Sequence, residues 1–336
     1  MQRLFRTTPL PARPKPWPYP EAPPPMPMIQ AVNLTKRYGE LSALNNLNLS
    51  IEQGECFGFL GPNGAGKTTT IKIFATLLRP TWGEARIDGL SVGPVNARQV
   101  RAVIGYVPDY FGSYQDLTVR EYLEFFAAAY DIDPAKRKGV IDDVLQLTDL
   151  SYKADSETGS LSRGMQQRLS VARVLVHDPK VLLMDEPASG LDPRARIEMR
   201  ELLKELHRMG KTILISSHIL LELADLCTTF GILERGELQF VGTRDEIYAK
   251  AKGARVYRIG VASKLAPAAE VVRQTPGVTD VSLEPDHLRL ELDPAAGDPA
   301  RVAAALVKQG YDLTRLEEEQ VNLETAFMRL TQGLVQ

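Results

Sequence analysis

One eight-residue stretch limits what this chain can fold into more than any other feature of the sequence. Residues 61–68 match the spacing of a phosphate-binding loop, in which glycines let backbone N–H groups turn inward. A helix is predicted to begin near Gly66, and its positive N-terminal end adds to the attraction for an anion. Lys67 would reach the β- and γ-phosphates of a nucleotide, and the Thr68 hydroxyl would ligate Mg²⁺. The predicted nucleotide contacts in this stretch are Gly61, Pro62, Asn63, Gly64, Ala65, Gly66, Lys67, Thr68 and Thr69.

The segments around this loop have the pattern that it requires. Residues 56–60 form a short apolar run typical of a buried strand, and residues 69–78 place apolar side chains at helical spacing. A second apolar run, residues 181–184, is followed directly by Asp185 and Glu186. Open α/β sheets bind ligands at the carboxyl ends of their strands. Asp185 is therefore predicted to hold Mg²⁺, and Glu186 to polarise an attacking water molecule.

The 336 residues are too many for one ordinary domain, and three regions differ in composition. Residues 1–27 are rich in proline and are predicted to form an extended or disordered extension. Residues 28–250 alternate strands and helices, which predicts an α/β core with a helical subdomain inserted at about 98–175. Residues 251–336 follow the order β-α-β-β-α-β, which predicts a small accessory α+β domain of ferredoxin-like type, closed by a helix at 323–330.

Charge and composition narrow the possible partners and compartment. The net charge of −2 provides no bulk attraction for nucleic acid, so none is expected as a partner. The two cysteines, Cys56 and Cys227, stand in apolar segments, which indicates a reducing compartment and no disulfide framework. No apolar run reaches the length of a membrane span, and the N-terminus lacks the apolar segment of a secretory signal. We therefore expect a cytoplasmic protein that acts on membranes only through a partner.

Several further segments, in order along the chain, resemble the ATP-binding cassette (ABC) ATPases. They are residues 161–165 (Leu-Ser-Arg-Gly-Met), residues 182–187 (Leu-Leu-Met-Asp-Glu-Pro), residues 189–192 (Ser-Gly-Leu-Asp) and His218. Tyr38 matches the aromatic residue that stacks on adenine in that family. The resemblance covers residues 28 to about 245. It implies the RecA-like core of P-loop NTPases, with ATP as the nucleotide and Mg²⁺ as the metal.

The same resemblance implies that the site is shared between two copies of the chain. In this family two cassettes pair head to tail and enclose ATP between them. Ser162 and Gly164 of one copy would then contact the γ-phosphate that residues 61–68 of the other copy hold. Ser162 begins a predicted helix, so its hydroxyl and the nearby N–H groups face an anion. His218 would hydrogen-bond the γ-phosphate and help Glu186 to orient water.

Three residues depart from the family pattern. Asp109 stands where the family usually has glutamine, four residues after Gly105. A carboxylate still ligates Mg²⁺, so Asp109 is predicted to be a catalytic and metal-binding residue, although it is anionic and one methylene shorter than glutamine. Arg163 replaces the usual second glycine of the signature segment, and Met165 its glutamine. Two placements of Arg163 are open, one adding positive charge near a phosphate and the other projecting outward.

The C-terminal residues suggest which branch of the family this chain resembles. Residues 322–330 are similar to the tail of ATPase subunits that serve type-2 ABC exporters for drug, polysaccharide or multidrug efflux. This implies an ATP-hydrolysing subunit that lies on the inner face of the cell membrane and drives export through a separate integral permease. Helices within about 110–150 would form the docking surface for that permease.

Two alternatives remain open from the sequence. The first is a soluble ABC ATPase acting on ribosomes or nucleic acid. Translation-type relatives carry two cassettes and DNA-repair relatives a long coiled coil, whereas this chain has one cassette and no sustained heptads. The second is a nucleotide-binding regulator without turnover. Lys67, Asp185, Glu186 and His218 argue against it, and Asp109 keeps it open.

Overall fold

The computed structural model describes residues 26–110, 112, 114, 116–251, 255–262, 264–293 and 296–318. Nearly all of the predicted proline-rich extension therefore lies outside the described residues. The helix predicted at 323–330 also lies outside them.

Strands and helices alternate through most of the chain. The first part contains β1 (Ile29–Tyr38), β2 (Leu41–Ile51), β3 (Cys56–Leu60), α1 (Lys67–Phe74), β4 (Trp82–Ile87), β5 (Leu90–Ser91), α2 (Ala97–Val103), β6 (Ile104–Val107), α3 (Val119–Ala129), α4 (Pro134–Leu147) and α5 (Arg163–Leu175). The second part contains β7 (Val181–Asp185), α6 (Pro193–Arg208), β8 (Thr212–Ser217), α7 (Leu220–Leu223), β9 (Thr229–Glu234), β10 (Glu237–Thr243), α8 (Arg244–Ala251), β11 (Arg255–Val261), α9 (Leu265–Arg273), β12 (Val278–Leu283), β13 (Leu288–Leu292), α10 (Pro299–Lys308) and β14 (Leu313–Glu318).

A six-stranded sheet forms the centre of the molecule, with strand order β10-β9-β3-β8-β7-β6. All neighbours in it are parallel except the edge pair β9 and β10. Every residue of β3, β7 and β8 is buried. Burial on both faces explains why these strands are continuous apolar runs without alternation, as predicted for residues 56–60 and 181–184. Because the strands are parallel, the loops that follow β3, β7 and β8 meet at the same edge.

A second sheet, with strand order β2-β1-β4-β5, is antiparallel throughout. Residues 29–34 alternate apolar and polar side chains, which predicts a first strand that ends at residue 34 and a turn at 35–39, and this prediction is wrong. β1 continues to Tyr38, which pairs with Leu41. The pairing register shifts three times between β1 and β2, and Asn33 has a φ of +50°. These irregularities break the two-residue alternation, so the pattern stops before the strand does.

The span that the sequence assigns to a helical subdomain also contains a strand of the central sheet. The span of about 98–175 includes β6, which pairs with β7 in the central sheet. β6 is only four residues long and contains Gly105, so it gives a weak strand signal. Thr118 followed by Glu121 three residues later predicts the start of a helix, and α3 begins there with a capping box between these two residues. None of the described helices is both long and apolar enough to cross a bilayer.

One predicted helix is much shorter in the structure. The sequence also predicts a helix at residues 219–227, after the strand that ends near His218, but α7 covers only Leu220–Leu223. Leu226 and Cys227 are buried in the same apolar cluster as Cys56 and Phe230. Their apolar spacing therefore reflects packing against the sheet, and the chain turns there to enter β9.

The end of the described chain agrees with the predicted topology. The β9–β10 hairpin turns at Arg235 and Gly236, whose φ values of +48° and +78° are the two positive values that a type I′ turn requires, and such turns match the right-handed twist of the strands. β11 to β14 form an antiparallel sheet of order β12-β13-β11-β14, with α9 and α10 in its apolar cluster. This is the predicted ferredoxin-like arrangement.

His177 joins three elements next to the central sheet. Its ring stacks on Tyr130, just after α3, with centroids 3.8 Å apart and planes within 8°. Nε2 lies 2.9 Å from the carbonyl oxygen of Ile104 in β6, and the buried Nδ1 has no hydrogen-bond partner among the described residues. Burial lowers the pKa of His177, although the bond to Ile104 and the charge of Asp178 oppose the shift. The neutral imidazole is therefore the form that fits this position.

We expect stability to depend on pH through His177. Its pKa is lower in the folded chain than in the unfolded chain, so the unfolded chain takes up the proton first. The contribution of His177 to the free energy of unfolding should be fully present above about pH 6.5 and should be lost as the pH falls below that value. Urea titrations at about pH 7.5 and about pH 5.5 would measure this difference.

The variant His177→Gln tests the assignment, because glutamine can still donate to the Ile104 carbonyl but does not titrate. The pH dependence between the two conditions should become smaller. His207→Gln is the matched control, since His207 also bonds a backbone carbonyl, that of Gly54. An equal change in both variants would contradict a specific role for His177.

Candidate nucleotide-binding site

A cavity of about 330 Å³ opens beside the loop that follows β3. Most of its wall comes from that loop and the first turn of α1, and the rest comes from three distant parts of the chain. The lining residues are Tyr38, Leu41, Ala43, Pro62, Asn63, Gly64, Ala65, Gly66, Lys67, Thr68, Thr69, Asp109 and Glu186. The fold therefore brings most of the residues predicted from the 61–68 segment and its partners to one place.

The loop has the backbone conformation that its glycines permit. Gly64 and Gly66 have φ values of +83° and +108°, in a region where side chains cause strain. A Cβ on Gly66 would also lie 2.6 Å from the carbonyl oxygen of Ala43, which is too close for any side chain. α1 begins at the next residue, as predicted, and no described side chain caps its N-terminus. The first N–H groups of α1 thus remain available to an anion.

The ammonium group of Lys67 lies at the centre of the site. Its side chain is only 5% exposed. Nζ donates to the carbonyl oxygens of Gly61 at 2.7 Å and Pro62 at 3.2 Å, and it lies 3.3 Å from Oε1 of Glu186. These partners compensate the cost of removing a charge from water.

The carboxylate of Asp185, at the end of β7, is held by two hydroxyl groups. Thr68 Oγ1 and Ser216 Oγ both donate to its Oδ1, at 3.0 Å and 2.8 Å. Burial raises the pKa of Asp185, whereas these two hydrogen bonds lower it, and the net shift is upward. The other oxygen, Oδ2, is buried and has no hydrogen-bond partner in the described part of the chain.

These groups fit a magnesium ion. An unpaired carboxylate oxygen beside the Thr68 hydroxyl is the kind of oxygen donor set that Mg²⁺ takes, and Asp109 adds a second carboxylate to the wall of the cavity. No group of three or more His, Cys, Asp or Glu side chains forms a metal site within the described ranges. The protein would thus supply a few ligands and leave the others to phosphate oxygens and water.

Glu186 lies between Lys67 and His218. Its Oε2 is 2.6 Å from Nδ1 of His218, and its side chain is 14% exposed. The backbone of Glu186 has a φ of +49°, which costs a non-glycine residue about 1 kcal/mol. Its N–H donates to Ser216 Oγ at 3.0 Å, which helps to hold this conformation. The carboxylate is therefore fixed at the cavity wall, in a position suited to accept a proton from water.

Tyr38 lies at the open side of the cavity. Its ring is 48% exposed, and Lys36 Nζ is 5.0 Å from the ring centroid. An exposed aromatic face beside a phosphate-type loop can stack on a base.

At Tyr106, near the other side of the site, burial and then the charges of Asp185 and Asp109 raise the pKa of the phenol to about 12.

Five predicted site residues are not among the residues that line this cavity. Gly61, Asp185 and His218 are hydrogen-bonded to lining residues, whereas Ser162 and Gly164 contact other parts of the chain. Ser162 caps α5, where its Oγ accepts a hydrogen bond from the N–H of Met165 at 3.3 Å. Gly164 packs against Ala195 at the start of α6, where an added Cβ would lie 2.7 Å from the Cβ of Ala195. One copy of the chain thus does not bring Ser162 and Gly164 to its own cavity.

The sequence analysis missed three residues of the site. Leu41 and Ala43 line the cavity beside Tyr38, and no local pattern distinguishes them from other residues of a strand. Ser216 holds both Asp185 and Glu186. A signal for Ser216 was present, because it ends the apolar run of β8 in the same way that Asp185 ends β7.

Known proteins resemble this chain over most of its length. The ABC transporter family model matches residues 44–189. The linearmycin resistance ATP-binding protein LnrL of Bacillus subtilis (strain 168) is 31% identical over 308 residues, which cover 90% of this chain and 98% of that protein. The Nod factor export ATP-binding protein I of Paraburkholderia xenovorans (strain LB400) is 36% identical over 312 residues, which cover 90% of this chain and 96% of that protein.

A solved structure of an ABC transporter cassette also resembles this chain. The dimeric structure of MJ0796, a bacterial ABC transporter cassette, matches with a TM-score of 0.59 at 30% identity and covers 64% of this chain and 98% of that chain. The cavity, the family model and relatives matched over nearly their whole length lead to one conclusion. This chain belongs to the ATP-binding proteins of ABC transporters, a family whose characteristic activity is ATP hydrolysis.

Proposed function

We propose that this chain is the ATP-hydrolysing subunit of an exporter, working through a separate membrane permease. The observation that carries the proposal is the placement of Glu186 between Lys67 and His218 at the wall of the cavity. The two relatives, matched over nearly their whole length, are named for export of a Nod factor and for resistance to linearmycin, which supports an exporter. The protein would act on the cytoplasmic face of the membrane.

Residues 61–69 would hold the triphosphate of ATP. The free N–H groups at the start of α1 and the ammonium of Lys67 supply positive charge in a partly buried place, where electrostatic interactions are stronger than in water. Tyr38 would stack on the adenine, which contributes modest affinity and leaves most of the binding to the phosphates.

Thr68, Asp185 and Asp109 would hold the magnesium ion, which neutralises phosphate charge when it is bound. Ser216 keeps the carboxylate of Asp185 oriented through its 2.8 Å hydrogen bond, leaving Oδ2 free for a ligand. Asp109 is shorter than the usual glutamine and lines the same cavity, so it would serve as a ligand in that residue's place.

Glu186 would act as the base that orients the attacking water. The water oxygen attacks the γ-phosphorus, the bond to the β–γ bridging oxygen breaks, and the water proton passes to the Glu186 carboxylate. His218 holds that carboxylate through Nδ1 and would contact the γ-phosphate with its other ring nitrogen. ADP and phosphate are the products.

A second copy of the chain would complete the site. Ser162 and Gly164 do not line the cavity of their own chain, and the Ser162 end of α5 is exposed. MJ0796, which is similar to this chain, has been solved as a dimer. A head-to-tail homodimer would place Ser162 and Gly164 against the γ-phosphate held by the other copy.

The permease would dock on the helical subdomain, which begins after β6 within the nucleotide-binding domain of residues 28–250. Tyr114 and Phe125 form an aromatic patch there, with ring centroids 5.7 Å apart and exposed fractions of 59% and 50%. Exposed aromatic pairs are more typical of protein interfaces than of solvated surfaces. Residues 251–336 would form the accessory domain that follows.

The variant Lys67→Ala should lose most of its affinity for ATP. Removing a buried ammonium that bonds phosphate oxygens should weaken binding about 100-fold. Titration calorimetry with Mg²⁺-ATP would measure the change. Lys72→Ala is the matched control, since Lys72 is an exposed lysine on the same helix. Equal affinities for all three proteins would contradict the placement of the triphosphate.

The variant Glu186→Gln should bind ATP but hydrolyse it at least about 100-fold more slowly, because glutamine cannot accept the water proton. Since the nucleotide persists, the variant should elute as a dimer in ATP and as a monomer without it. Glu201→Gln, on the exposed side of α6, should behave like the wild type. Wild-type turnover in Glu186→Gln would show that another group activates the water.

The variant Phe125→Ser should weaken binding to the permease without changing ATP hydrolysis by the isolated subunit. The loss follows from removing an exposed aromatic anchor. Affinity capture from detergent-solubilised membranes, followed by identification of the integral membrane partner, would measure it. Val307→Ser changes an equally exposed apolar residue on α10 and should leave capture intact. Full capture by Phe125→Ser would place the docking surface elsewhere.

A further inference from the structure

Arg163, which stands where the family usually has glycine, has a side chain that is held in a defined position. Its Nη2 donates to the carbonyl oxygen of Ser189 at 3.0 Å. Its guanidinium lies over Gly190, since a Cβ on Gly190 would meet the Arg163 Cζ at 2.5 Å and both Nη atoms at 2.5 and 2.6 Å. Gly190 also has a φ of +66°. The side chain therefore rests on the turn that follows Glu186 and is not directed freely into solvent.

A second contact joins the same two segments. A Cβ added to Gly164 would lie 2.7 Å from the Cβ of Ala195, so the first turn of α5 contacts the first turn of α6. The N–H of Ala195 donates a hydrogen bond to Oδ1 of Asp192, whose side chain caps α6. The starts of α5 and α6 thus pack directly together, and Arg163 extends this contact over residues 189–190.

The turn at residues 189–192 is also tied to the catalytic groups of its own chain. The N–H of Ser189 donates to the carbonyl oxygen of Glu186 at 3.0 Å. On the far side, Arg196 Nε donates to the carbonyl oxygen of Leu191 at 3.0 Å and lies 3.7 Å from Glu222. Glu222 in turn accepts a hydrogen bond at 3.0 Å from Ser217, the residue before His218. A movement of the turn would therefore shift the positions of both Glu186 and His218.

We propose that Arg163 is a positioning residue that makes the start of α5 and the turn at 189–192 move as one body. The inference rests on the proposed function, in which Ser162 and Gly164 complete the partner's site while the turn follows this chain's own Glu186. Arg163 then connects the catalytic carboxylate of one site to the segment that completes the other. The hydrogen bond to Ser189 and the close approach to Gly190 are the contacts that would hold the two segments together.

The variant Arg163→Ala tests this role through separate measurements of binding, pairing and turnover. ATP affinity of the monomer should be unchanged, because Arg163 does not line the cavity. kcat should fall about three- to tenfold, which is the range for losing an exposed charge-assisted hydrogen bond. In the Glu186→Gln background, the ATP concentration needed for half-maximal dimerisation should rise by a similar factor.

Two further variants separate positioning from charge. Arg163→Lys keeps the charge but lacks the planar fork that covers Gly190, so it should remain impaired. Arg208→Ala removes an exposed arginine at the other end of α6 and should match the wild type. Full recovery in Arg163→Lys would show that positive charge alone matters and would overturn the positioning role.

A mutant cycle with Gly190 gives the sharpest test. In Gly190→Ala the new methyl group must displace the flexible guanidinium, so kcat should fall at least as much as in Arg163→Ala. Gly190→Ala also strains a backbone with a φ of +66°, and this cost is present with or without Arg163. Adding Gly190→Ala in the Arg163→Ala background should therefore lower kcat less than it does in the wild type, because only the backbone strain remains. Thermal melts would confirm that each variant is folded. Losses that multiply independently would overturn the inference.

The outcomes also separate this inference from the proposed function. Wild-type protein that neither pairs in ATP nor hydrolyses it would refute the proposed function, and the inference with it. Wild-type protein that does both, together with an Arg163→Ala variant equal to it in kcat and dimerisation, would refute the positioning role alone.

Discussion

A buried positive charge organises the site. Lys67 keeps its ammonium at 5% exposure only because two carbonyl oxygens and the Glu186 carboxylate surround it. Those partners come from the loop after β3 and the end of β7. The loop and that strand end meet because both strands belong to one parallel sheet, separated by β8. The sheet order therefore sets the distance between the group that would bind phosphate and the group that would activate water.

β8, the strand between β3 and β7, also supplies a side chain that hydrogen-bonds to the site. β8 ends in Ser216, whose hydroxyl donates to Asp185 and accepts from the N–H of Glu186. A single side chain thus orients the candidate metal ligand and holds the candidate base in its left-handed backbone conformation. This is how a fold supports a locally unfavourable conformation at a functional position, since the surrounding hydrogen bonds offset its cost.

The contacts beyond the cavity suggest how one site would influence a second. The Ser189–Asp192 turn contacts the first turn of α5 through Arg163, and it connects to the residues before His218 through Arg196 and Glu222. The contacts of Arg163 with Ser189 and of Arg196 with Glu222 join segments that are far apart in sequence, whereas the other two are local. In a head-to-tail dimer they would link the carboxylate of one site to the capped helix that completes the other. The coupling would pass through hydrogen bonds and close packing and would not require a large rearrangement.

The sequence by itself determined the phosphate loop, the strands around it, the acidic pair after β7, and the order of elements in the ferredoxin-like unit. These depend on local spacing, which glycines, apolar runs and caps encode directly. Only the tertiary structure decided that Ser216 lies against Asp185, that Leu41 and Ala43 line the cavity, and that Arg163 rests on Gly190. It also decided where β1, β6 and α7 begin and end, because bulges and burial against the sheet override local patterns there. The physical reason is that contacts between distant segments depend on how the sheets and helices pack, and no short stretch of sequence contains that information.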